Sequence, residues 1–168
     1  MSDRYDSLSP RDLIVTLRSL PRRYGSVQAA ATRTQVLAAL IDAPNADGLS
    51  LSSLINDAER TMTVLGGAIN TIVTTNDPVI SAKALTHEDR VAFDGTSTTV
   101  KRSVGLLGDK AVALADQLDT VSANDWSRTA AVTGGGTIAL IDLVRDLVRS
   151  EIETLRAAES QVEWMKLQ

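Results

Sequence analysis

Apolar residues return every three or four positions along most of this chain, which is the spacing of helices that bury one face. Ser9-Pro10-Arg11-Asp12 has the form of a helix start, with Ser9 as N-cap and Pro10 at the first helical position. Leu13, Leu17 and Leu20 follow at helical spacing, and Pro21 is expected to kink this helix or begin a new one. Val27, Ala30, Ala31, Val36, Leu37, Leu40 and Ile41 carry the pattern on across residues 24–42. Residues 43–48, Ala-Pro-Asn-Ala-Asp-Gly, read as a turn. A second long helix is predicted over residues 50–74, with Leu51, Leu54, Ile55, Ala58, Met62, Leu65, Ile69 and Ile72 as its apolar stripe. Gly66-Gly67 inside it costs roughly 1 kcal/mol per glycine relative to alanine, and suits a close helix crossing or a local distortion.

Residues 75–97 break the pattern and read as a long connection, with a short helix near 86–91. A third helix is predicted over 97–121, striped by Val100, Val104, Leu107, Ala111, Leu114 and Leu118. After residues 122–136, Thr137 is placed to cap a fourth helix reaching Met165, with Ile138, Ile141, Val144, Val148, Ile152 and Leu155 facing inward. No strand pattern competes. Four amphipathic helices with one long central crossover predict an all-α four-helix bundle, a single domain over residues 1–168.

Composition narrows the chemistry. The chain has 168 residues, no Cys and one His, so thiolate nucleophiles, iron–sulfur clusters and sites needing several imidazoles are out of reach. Five aromatic rings and a net charge of −4 argue against nucleic acid as a partner. The polar start, Met1-Ser2-Asp3-Arg4-Tyr5-Asp6, lacks the apolar core of a secretory signal, and no apolar run is long enough to span a bilayer. The expectation is a cytoplasmic protein with no membrane partner.

Several segments, taken in order, resemble a known family. Ser9-Pro10-Arg11-Asp12-Leu13 through Leu20-Pro21-Arg22-Arg23 is similar to an opening helix of that family, and Leu49-Ser50-Leu51-Ser52-Ser53-Leu54-Ile55-Asn56-Asp57 to its Trp-Ser-led second helix. Asn76-Asp77-Pro78-Val79 resembles its Asp-Asp-Pro segment, and Asp125-Trp126-Ser127-Arg128 its Trp-x-Arg segment, followed by the last helix. The chain thus resembles the DinB-like superfamily, which includes mycothiol-dependent maleylpyruvate isomerase and bacillithiol-linked transferases. The resemblance implies a DinB-like bundle and a metal held by three His, one on the second helix and two spaced four apart on the last. At those positions this chain carries Asp57, Arg149 and Glu153. The family's metal site, as the family builds it, is therefore expected to be absent.

Two readings of those residues stand side by side. Arg149 could bridge Asp57 and Glu153 with bidentate hydrogen bonds, as a structural or ligand-anchoring network. Alternatively Arg149 and Glu153 form an exposed i, i+4 pair and Asp57 is solvated. No cofactor is expected, although two carboxylates leave weak binding of a hard ion such as Mg²⁺ or Mn²⁺ open. His87, Trp126 and Arg128 are candidate pocket or loop residues. The run Thr133-Gly134-Gly135-Gly136-Thr137 lacks the Lys-Ser/Thr of a phosphate loop and reads as a flexible turn. Arg11, Arg18, Arg22 and Arg23 read as a solvated face of the first helix. Trp164 and Met165 offer a dimer contact or cover the core, and family resemblance adds the expectation of a homodimer.

The functional expectation is a non-catalytic or small-ligand-binding bundle. The alternative is a thiol-dependent, mycothiol-type transferase or isomerase in which Arg149 holds an anionic group. Ferritin-like di-carboxylate chemistry needs Glu-x-x-His pairs, which the chain lacks.

Overall fold

The computed structural model describes residues 4–86 and 99–168. Helix α1 (Pro10–Ala31) opens with the expected cap: the Ser9 hydroxyl accepts from the Asp12 amide, and the Asp12 carboxylate accepts from the Ser9 amide. Such a reciprocal box satisfies two amides that the first turn leaves without helical partners. Contrary to expectation, α1 runs unbroken through Pro21. Opposite its ring stands Gly108 of α5 (Val100–Asp119), where a Cβ would lie 3.2 Å from the Pro21 Cβ. The bare backbone at Gly108 lets the two helices approach, and this contact holds the proline inside the bundle. Gly66-Gly67 makes no comparably close crossing: a Cβ on Gly66 would sit 3.8 Å from Leu114, in ordinary contact.

The helix expected to continue to residue 42 stops at Ala31. A short helix α2 (Gln35–Ala39) restarts the chain, its first turn capped by the Thr34 hydroxyl. Helix α3 (Leu51–Thr74) is capped by Ser50 and buries Leu51, Ile55, Met62, Leu65, Ile69 and Ile72. Beyond it come strand β1 (Val79–Ile80) and helix α4 (Ala82–Leu85). The short helix expected at 86–91 falls almost wholly outside the described residues. The bundle closes with α5 and α6 (Leu140–Met165).

Around the bundle the order is α1, α5, α3, α6, with α1 and α3 on one diagonal. Side-chain pairs give the directions. Pro21 meets Gly108 while Arg18 bridges Asp116 and Asp119, so α1 and α5 are antiparallel. Ser103 meets Asn56 and Gln117 meets Asn70, so α3 and α5 run the same way. Arg145 meets the Leu8 carbonyl and Tyr24 meets Glu151, so α1 and α6 run together as well. A parallel α3–α5 pair requires a connection that travels back along the bundle, and residues 75–99 are that crossover. The expected four-helix bundle with its central crossover is the architecture observed.

A small sheet caps one end, and the helical pattern did not predict it. Strand β2 (Thr129–Val132) pairs antiparallel with β3 (Thr137–Ala139), Ala130 opposite Ile138, and parallel with β1, Val79 beside Ala131. The glycine run is the hairpin turn: Gly134, Gly135 and Gly136 have φ of 90°, 117° and 90°, which side chains disfavour. Thr137 therefore lies in β3 and does not cap the last helix, which begins at Leu140 after Ala139. Trp126, a candidate pocket or loop residue, is part of neither α5 nor α6. It sits in a 3-10 turn (Asp125–Ser127) beyond the end of α5 and is buried against the core. Among the described residues, no helix is long and apolar enough to cross a membrane.

Candidate functional site

Among the described residues a buried carboxyl lies where α1 and α6 meet, and Thr61, Ser103 and Gln161 are buried elsewhere. On α6, Leu143, Leu147, Glu151 and Leu155 recur every four residues, and that row faces the core. Glu151 is accordingly 1% exposed, among leucines that are fully buried. The partner it finds is Tyr24, at the end of the α1 row Leu13, Leu17, Leu20. The Tyr24 hydroxyl donates toward the Glu151 backbone carbonyl at 3.0 Å and its carboxyl Oε2 at 3.2 Å. Burial drives the Tyr24 pKa well above the usual phenol range, and the nearby Glu151 carboxyl pushes it the same way. The phenol therefore stays protonated and acts as a donor. Such a pair can satisfy two polar groups in a dry core; it offers no imidazole or thiolate to a metal.

Of the three positions singled out by family resemblance, Asp57 is near enough to this pair for its charge to help raise the Tyr24 pKa. Asp57 is paired with Arg60 one turn along α3, Nη2 to Oδ1 3.7 Å. Arg149 donates to Asp146 at 2.7 Å and to Asp6 at 2.8 Å, with its guanidinium 5.7 Å from the Tyr5 ring. Glu153 is exposed. Neither the bridge from Arg149 to Asp57 and Glu153 nor the simple Arg149–Glu153 pair is formed. Residues 149 and 153 each stand about 200° around the helix from residue 151 and so point away from the interior row, and Arg149 takes Asp146 and Asp6 in place of Glu153. Arg149 is held by the N-terminal segment instead. Tyr5 is buried, Asp6 takes Arg149, and Arg145 donates to the Leu8 carbonyl at 3.0 Å. Burial raises the Asp146 pKa, outweighing the opposite pull of Arg149.

Of the remaining candidates, Arg128 is structural. Its Nη2 donates to the Thr75 carbonyl at 2.8 Å and its Nη1 reaches the Val73 carbonyl at 3.5 Å, which satisfies the C-terminal end of α3. Trp126 packs the bundle end. His87 lies outside the described residues.

A recess missed in the sequence lies where the N-terminal segment crosses α1 and α6. It measures about 380 Å³ and is lined by Arg4, Tyr5 and Leu8, by Thr16 and Arg23 of α1, and by Val148, Ile152 and Arg156 of α6. Arg23 stood out only as one of four arginines on the first helix, and nothing in the pattern marked Arg156 as its neighbour.

The fold family implies a metal, and the residues present do not fit one. Arg149 is a cation at a position where the resemblance puts a ligand, Glu153 is exposed, and Glu151 faces a phenol donor. Among the described residues, no group of three His, Cys, Asp or Glu side chains is placed to hold a metal ion.

No protein-family model and no curated protein matches the chain. Among solved structures it is similar to YfiT from Bacillus subtilis, described as a probable metal-dependent hydrolase with an unusual four-helix bundle topology. The TM-score is 0.67 at 15% identity, over 98% of this chain and 94% of that one. With that likeness and the helix order above, the chain has the DinB-like four-helix bundle fold.

Proposed function

We propose that this protein is a DinB-like bundle that does without the three-His metal and binds a small molecule rather than transforming one. The observation that carries this reading is the interior of α6. Its buried carboxyl, Glu151, is hydrogen-bonded to a protonated Tyr24, while Arg149 is held by Asp6 and Asp146 and Glu153 is exposed. A thiol-dependent transferase or isomerase would need Arg149 free to meet an anionic group, and Asp6 and Asp146 already engage it.

Calorimetric titration of the untagged protein with zinc, nickel and manganese tests the proposal. The expected outcome is no saturable binding at micromolar metal. One-to-one binding that disappears in Glu151→Gln or Asp57→Asn would overturn it.

A further inference from the structure

We propose that the recess between the N-terminal segment, α1 and α6 is a binding site for a small oxyanion, a carboxylate or phosphate carried on an apolar body. The inference rests on the reading of this bundle as a ligand-binding protein and names the class of ligand.

The argument begins with spacing. Val148, Ile152 and Arg156 lie at i, i+4 and i+8 on α6 and so form one row about 12 Å long. Across the recess, Thr16 and Arg23 are seven residues apart on α1, two turns along the same face. Because α1 and α6 run in the same direction, Arg23 and Arg156, the last residues of their rows, both lie toward the same end of the recess. The other end is closed by Tyr5 and Leu8, and Val148, Ile152 and Leu8 give it an apolar floor. An amphiphilic ligand fits that polarity, with its charged head at the two guanidiniums and its body along the floor.

Charge accounting points the same way. Arg4 donates to the Tyr5 hydroxyl and covers its ring, and Arg145 and Arg149 are committed to the N-terminal segment and Asp146. Arg23 and Arg156 have no ion-pair partner among the described residues. Acids are close in sequence: Glu153 and Glu159 lie one turn to either side of Arg156, yet neither is within ion-pair distance. Two arginines lining one recess with an apolar floor suit the oxygens of a carboxylate or phosphate, which arginine binds in a bidentate fork. The cavity volume accommodates a body of modest size.

Titration calorimetry on the full chain in low-chloride buffer tests this, with octanoate, phenyl phosphate, inorganic phosphate and 1-octanol as probes. Octanoate or phenyl phosphate should saturate one site, with 1-octanol and inorganic phosphate each at least about tenfold weaker. The double variant Arg23→Gln/Arg156→Gln should lose about tenfold or more, while Arg11→Gln, on an exposed part of α1, leaves affinity unchanged. Which of the two organic probes binds tighter identifies the head group. Failure of both to saturate, equal binding of inorganic phosphate, or indifference to the double variant would overturn the inference. Elemental metal content of the same preparation keeps the two claims apart. Metal-free protein that binds no oxyanion defeats this inference alone, whereas stoichiometric metal defeats the proposed function and leaves the recess result to be judged separately.

Discussion

Tyr24 and Glu151 are where a single atom has the largest leverage. Tyr24→Phe removes the donor from a buried carboxyl and should cost about 1–3 kcal/mol, measured by denaturant unfolding. The same residue sets an alkaline limit. Its folded pKa lies above that of the unfolded chain, so its contribution is complete below the unfolded value near 10. Above that pH the unfolded state sheds the proton first, and stability falls. Unfolding midpoints should decline from about pH 10 upward in the native chain and decline less in Tyr24→Phe; identical profiles would contradict the assignment. The inward direction of Glu151 was legible, since Leu143, Leu147 and Leu155 flank it at four-residue spacing. Family resemblance drew attention two residues away, to Arg149 and Glu153. The contact of Arg149 with Asp6 joins positions distant in sequence, which no local pattern records.

Elements followed the hydrophobic stripe where they were long and escaped it where they were short. The Ser9 and Ser50 caps and the stripes of α3, α5 and α6 follow directly from spacing and cap chemistry. Pro21 did not end α1, because packing on Gly108 outweighs one missing amide. Gly108→Val tests that contact: a branched side chain against the proline ring should cost about 1–3 kcal/mol despite valine's better helix propensity. A variant as stable as the native chain would show that the helices are free to separate there. Strands β1, β2 and β3 were invisible because each has only two to four residues, too few for an alternating pattern, and because β1 pairs with β2 across about fifty residues. The triple glycine was read as flexible, but it is the turn that brings β3 back onto β2.

For the whole molecule, the long break after residue 74 was the most informative feature of the sequence. A connection of that length permits α3 and α5 to run in parallel, and the side-chain pairs Asn56–Ser103 and Asn70–Gln117 show that they do. The same bundle, shared with a probable metal-dependent hydrolase at 15% identity, holds a tyrosine–glutamate pair in its interior and a two-arginine recess on its flank. A scaffold set by four stripes tolerates replacement of the few residues that carry chemistry, so a shared fold leaves the function open to change. The central claim is that this interior needs no metal. Elemental analysis of untagged protein, purified without chelator and supplied with zinc, nickel, iron and manganese during growth, tests it most directly. The account predicts well under one-tenth of a metal atom per chain; a near-stoichiometric amount of any one metal would contradict it.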